Sequence, residues 1–192
     1  MAHITIASTL PGITGLLESR LDTSEPIRDL TQFILRGPNT LTEGERELIA
    51  TIVSSGNACV FCTNAHASAA ARYGWTREEV DAIVHDPSTA PVSEKVRQLL
   101  LIARALQRSV QGVSSEMVEA ARSAGATDVE IHDTVLITSL FCLYNRYVDG
   151  LASDYPATED YYEKLADRLT TNGYTRNPSL FPPANGHSND ST

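Results

Sequence analysis

The feature that most constrains this chain is its punctuation. Thr42 is followed three residues later by Glu45, Thr76 by Glu79, and Thr127 by Glu130. At that spacing the hydroxyl and the carboxylate each satisfy a backbone N–H that the first turn of a helix leaves open. Behind these starts, apolar residues recur three and four apart. Val96, Leu99, Leu100, Ala103 and Leu106 follow this rule, which puts them on one helical face. No series alternates apolar and polar side chains with period two. A thioredoxin-type or Rossmann fold would therefore lack the strands of its βαβ units. The reading is all-α, a bundle of about eight helices.

Start and stop signals place helices at 11–20, 26–35, 43–55 and 58–73, after an extended stretch at 3–10. Ser24 or Glu25 opens the second of these, and Gly37-Pro38 stops it. Gly56 is expected to end the third in the left-handed conformation, with Asn57 capping the fourth. A short helix ends near His85, and another runs over 93–109. The remaining helices fall between Ser114 and Gly125, from Thr127 to about Asp149, and from Thr158 to Gly173. Residues 174–192 are rich in Pro, Asn, Ser and Gly and read as a disordered tail. That leaves one helical domain over 1–173. Leu180-Phe181 is read as part of the loose end rather than as a docking pair.

Composition removes several functions. Fifteen Lys and Arg against 24 Asp and Glu give a net charge of −9, which disfavours nucleic acid and anionic membrane surfaces. No apolar run reaches the length of a membrane span. The first residues carry no basic segment ahead of an apolar one, so no secretory signal is read. With 42% apolar and 20% charged residues, a chain of 192 can build one core without disulfides. Its three cysteines are not a secreted framework, and the expected compartment is the reducing cytoplasm. There, a close cysteine pair points to redox or metal chemistry.

That pair is Cys59 and Cys62, with His66 four residues on. On a helix the three side chains share one face. Cys59 would stand in the first turn, where open N–H groups and the positive helix end favour a thiolate. His66 can accept the Cys62 proton or, once charged, hold the thiolate. The preceding helix offers Glu47 on a face with Ala50, Thr51 and Ser54, and the Cys/His helix is rich in Ala. Two small faces joined by a tight turn would bring Glu47 to His66 as a Glu–His–Cys proton relay. A buried carboxylate there is expected to exchange a proton near neutral pH. The competing readings are a zinc site, with Cys59, Cys62, His66 and Glu47 as its donors, and inert buried cysteines. A c-type haem would need His directly after the second cysteine, where Thr63 stands. Cys142 reads as core, and His132 and His85 as surface. Tyr144 and Tyr147 read as aromatic filler, and Tyr161-Tyr162 as a subunit contact.

The run from Leu41 to Ile49, with Cys59-x-x-Cys62-x-x-x-His66 starting twelve residues after Glu47, resembles the AhpD-like branch of the carboxymuconolactone decarboxylase family. It looks most like the peroxidase-related members. The likeness extends more loosely from Pro11 through Asn145-Arg146-x-x-Asp149. It implies an all-α, homo-oligomeric enzyme that reduces hydroperoxides through two cysteines, with no cofactor or metal. It also implies roles: Cys62 as the attacking cysteine, Cys59 as the resolving one, His66 and Glu47 as the relay. Helix-end physics alone would name Cys59 as the more acidic thiol. An external dithiol or thiol would complete the cycle. Decarboxylases of this fold lack the cysteine pair, which tilts against lactone decarboxylation. An acid/base enzyme on the same fold, or a non-catalytic zinc-binding or redox-sensing oligomer, are the alternatives. Asn145, Arg146 and Asp149 receive no role, although Arg146 reads as a partner for an acid.

Overall fold

The structure, a computed structural model, describes residues 2–179. Among these residues it is all-helical, with nine α-helices and no strand. In chain order they are α1 (Gly12–Ser19), α2 (Leu21–Arg36), α3 (Glu43–Gly56), α4 (Val60–Ala71) and α5 (Arg77–His85). A 3-10 turn at Pro87–Thr89 leads to α6 (Glu94–Arg108), α7 (Ser115–Ser123), α8 (Asp128–Gly150) and α9 (Glu159–Asn172). All three capping boxes form, with threonine hydroxyl and glutamate carboxylate bonded reciprocally at the starts of α3, α5 and α8. Ser93 and Ser114 cap α6 and α7 in the simpler way. No helix among the described residues is long and apolar enough to cross a membrane.

Helix α3 is the centre of the molecule. It packs on α4, α6 and α8, and α4 in turn packs on α9. The small residues of α4 make its close approach to α3 possible. Ala65, Ala67, Ala69 and Ala70 are all buried, and so is Ala50 across from them. A large apolar core fills the space among α2, α3, α6 and α8, with Leu35, Leu48, Ile52, Leu99, Ile102 and Ile137 almost free of solvent. A smaller core contains Leu16, Phe61, Val148, Tyr162 and Leu165, and both Cys59 and Cys62 belong to it. The cysteines thus stand where α1, α4, α8 and α9 meet.

Three local readings need correction. Helix α2 starts five residues before Pro26 and carries that proline inside it. Pro26 lacks the N–H that would bond the Asp22 carbonyl, so α2 forms with one hydrogen bond missing just past its first turn. Secondly, Asn57 ends α3 rather than opening α4, and the left-handed residue at this turn is Ala58, at φ +59°, not Gly56. At Gly56 a Cβ would lie 2.4 Å from the end of the Gln107 side chain, which would have to shift to admit it. Thirdly, Tyr161 and Tyr162 pack on Phe61 within the chain, and Tyr162 is buried with its hydroxyl donating to the Pro156 carbonyl at 2.9 Å. Of the expected tail, 174–179 are described, and Tyr174 and Arg176 are anchored. Leu180-Phe181 and the rest of 180–192 lie outside the described residues.

Candidate active site

The α3–α4 turn sets the thiols. Ala58 N–H bonds the Ser55 carbonyl at 2.9 Å and Cys59 N–H that of Ser54 at 3.0 Å. Cys59 therefore occupies the N-cap of α4 and Cys62 its first turn. Both thiols are free and buried. They interact with each other. The Cys62 thiol holds Cys59 below the usual thiol value, burial opposes this, and the Cys62 backbone N–H adds to it. The hydrogen bond to Cys59 pushes Cys62 up, and burial pushes it further. A negative charge shared by this pair therefore rests on Cys59, as helix-end physics led one to expect.

Glu47, one turn into α3, is fully buried. His66 Nδ1–H donates to its Oε2 at 2.7 Å. Arg36 Nη2 donates to Oε1 at 2.5 Å and the Tyr174 hydroxyl to the same oxygen at 2.6 Å. Burial alone would raise the Glu47 carboxyl, but His66, Arg36 and Tyr174 overcome it and hold the pKa down to about 2. This corrects the expectation of a carboxylate that exchanges a proton near neutrality. Glu47 stays ionised and acts as an anchor. It fixes the tautomer of His66 with the proton on Nδ1, which leaves Nε2 as an acceptor. The imidazole is wedged with its edge toward Phe141, ring centroids 4.5 Å apart, and lies parallel to the Tyr174 ring at 6.2 Å.

Cys62 and His66 face one cavity of about 60 Å³. Its walls are largely apolar, with Phe61, Phe141, Leu165 and Leu169, and it also reaches Arg28 and Tyr174. By size it holds a few water-sized groups. Cys59 does not line it. The two sulfurs are thus unlike: Cys59 is favoured for charge, while Cys62 has access to the cavity.

Sequence reasoning missed the two other donors to Glu47. Arg36 lay just past the expected end of the second helix at residue 35 and was given no role. Tyr174 sat at the head of a polar tail, and its only signal was an aromatic ring in that composition. It also missed where the Asn145-Arg146-x-x-Asp149 motif lies. The Asn145 side chain contacts Cys62, and the charge of Asp149 bears on both thiols. Asn145 is buried and held by Asn57, which donates to it at 2.8 Å, and by Ser54, which accepts from it at 3.1 Å. Arg146 is exposed and donates to the Cys142 carbonyl at 2.9 Å. Cys142 is half-buried beside Asn57, 3.5 Å from its Nδ2. Tyr144 fills the core and also lines the cavity. His132 is exposed beside Asp133. No cluster of three or more His, Cys, Asp or Glu among the described residues is placed to hold a metal ion.

Comparison with known proteins gives a partial family match and a fold. Residues 22–105 match the carboxymuconolactone decarboxylase family. The chain is similar to the crystal structure of an uncharacterized peroxidase-related protein from Silicibacter sp. TM1040. The two are 25% identical with a TM-score of 0.72, over 80% of this chain and 78% of that one. An uncharacterized peroxidase-related protein from Ralstonia eutropha JMP134, described as an alkylhydroperoxidase AhpD core, superposes with the same TM-score of 0.72. It is 24% identical over 82% of this chain and 81% of that one. A protein of unknown function from Agrobacterium tumefaciens follows at 18% and a TM-score of 0.66, over 74% and 97%. No curated protein matches the chain.

Proposed function

We propose, on the premise that this is a chain of the carboxymuconolactone decarboxylase family with the AhpD-like helical fold, that it is a thiol-dependent peroxidase acting through Cys62 and Cys59. One observation carries the reading. A cysteine and an imidazole of fixed tautomer face the same small cavity, and a second cysteine stands beside the first but outside that cavity.

The Cys62 proton passes to Nε2 of His66, whose charged form Glu47 stabilises across Nδ1. The Cys62 thiolate attacks the terminal peroxide oxygen. The O–O bond breaks, an alcohol leaves with a proton, and Cys62 becomes a sulfenic acid. Cys59, the more readily charged sulfur, attacks the sulfenic sulfur, and water leaves as the disulfide forms. An external dithiol or thiol then restores both thiols. The apolar walls favour organic hydroperoxides. A homo-oligomer in a reducing cytoplasm belongs to the same reading.

The alternatives fit less well. A decarboxylase-like use of Glu47 as acid and base needs a carboxyl that changes protonation near neutrality, and its three donors oppose that. A zinc site would need Glu47 and His66 as donors, but Glu47 spends both oxygens on Arg36, Tyr174 and His66 itself. Replacing Cys62 with Ser is expected to abolish hydroperoxide consumption while the circular dichroism spectrum stays unchanged. Consumption at the unaltered rate would refute the assignment.

A further inference from the structure

The thiol pair lies between two openings of different character. On one side is the small apolar cavity of Cys62 and His66. On the other is a cleft of about 420 Å³ lined by Asn57, Asn145, Arg146, Asp149 and Gly150. No residue is shared between the two linings. The cleft is open and carries both charges on its rim, for Arg146, Asp149 and Gly150 are all exposed. Neither sulfur lines the cleft, but two of its lining residues bear on them: the Asn145 side chain acts on Cys62, and the charge of Asp149 acts on Cys59. Asn145 and Asp149 are one turn apart on α8, so they present these groups side by side. Asn145 is locked by Asn57 and Ser54, which makes it a fixed partition between cleft and thiol.

We propose that this cleft is the docking site of the reducing dithiol, which reaches the oxidised Cys59–Cys62 pair past Asn145 and Asp149. The proposal deepens the peroxidase reading and rests on it. The two half-reactions then use separate mouths. The peroxide cavity is too small for a dithiol together with the sulfur that it attacks, while the cleft is several times larger. One thiolate of the dithiol attacks Cys59. The Cys59–Cys62 bond breaks, and Cys62 leaves as a thiolate that takes from solvent the proton released there by the attacking thiol. The second thiolate of the dithiol then attacks the sulfur bound to Cys59. That bond breaks, a cyclic disulfide departs, and Cys59 leaves with the charge. Two electrons pass from dithiol to enzyme. Arg146, the cation on the rim, draws the incoming thiolate.

The test separates this idea from the peroxidase reading, because the disulfide can be made with diamide and needs no peroxide. Full-length protein is oxidised, and its reduction by dithiothreitol is followed by the appearance of free thiols. Gly150→Trp is the plug: a Cβ at Gly150 meets nothing within 4 Å, so the backbone accepts a side chain there. We expect reduction to slow about tenfold, because exchange rates depend on access to the attacked sulfur. General loosening would instead expose the disulfide and speed reduction. Arg146→Glu is the second variant, at an exposed position that folding tolerates. Reduction is expected to slow about threefold at low salt, with the difference lost at high salt. If Gly150→Trp does not fold, Arg146→Glu decides alone. Reduction at the wild-type rate in each variant that folds would overturn the proposal.

Discussion

Glu47 was legible as a candidate from its spacing to the cysteines, but its working state was not. That state depends on Arg36, eleven residues upstream, and Tyr174, 127 residues downstream. Side chains so distant in sequence leave no local pattern. The consequence can be measured by acid unfolding. The Glu47 carboxyl is held down to about 2 against an ordinary value of 4.5. A depressed carboxyl stabilises the fold above its ordinary value and loses that contribution as pH falls toward the native one. Glu47 is therefore expected to contribute about 3 kcal/mol above pH 5, lost progressively toward pH 2. Glu130, held down to about 2 by Lys95, the Thr127 N–H and Thr40 against its own burial, titrates in the same window. Urea unfolding across this range should show a steep acid limb in the native chain and a shallower one in Glu47→Gln. Identical limbs would show that Glu47 is not the anchored carboxylate described.

Among the helices, the capped starts were readable because a capping box is local chemistry within four residues. The start of α2 and the α3–α4 turn were not. In both, tertiary packing overrode the residue that usually marks the boundary. Ala58 is the informative case. It holds φ +59°, a conformation that costs an L-residue about 1–2 kcal/mol, and it does so directly before Cys59. Ala58→Gly is expected to raise the thermal midpoint, because relief of this strain outweighs glycine's added freedom when unfolded. A lower midpoint would mean that the Ala58 methyl makes contacts worth more than the strain. Gly44 in α3 predicts the opposite sign. A Cβ there would come within 2.6 Å of both Trp75 and Tyr73, so Gly44→Ala is expected to cost about 1–3 kcal/mol in chemical denaturation.

For the whole molecule, the all-α class followed from periodicity and the missing strands. The sequence boundary at 173 cut off a side chain that the site uses. Composition describes residues 174–192 on average, and it hides that the half-buried Tyr174 bonds Glu47 and that Arg176 pairs with Glu18 at 3.0 Å. The family match ends at residue 105, so the thiols, Glu47 and His66 lie within it, while Tyr174, Asn145 and Asp149 lie beyond. The last part of the described chain thus closes a site whose chemistry is written in the first half. Tyr174→Phe, which removes only the hydroxyl donated to Glu47, is expected to cost about 1.5–3 kcal/mol of stability by urea titration. An unchanged midpoint would return residue 174 to the loose end.

Mass spectrometry of the reduced protein, before and after one equivalent of an organic hydroperoxide, tests the central claim most directly. The account predicts that the peptide carrying Cys59 and Cys62 loses two hydrogens, and that the Cys62→Ser variant shows no such loss. If that peptide keeps its mass and both thiols remain free to alkylate while peroxide is still consumed, the two-cysteine mechanism is wrong.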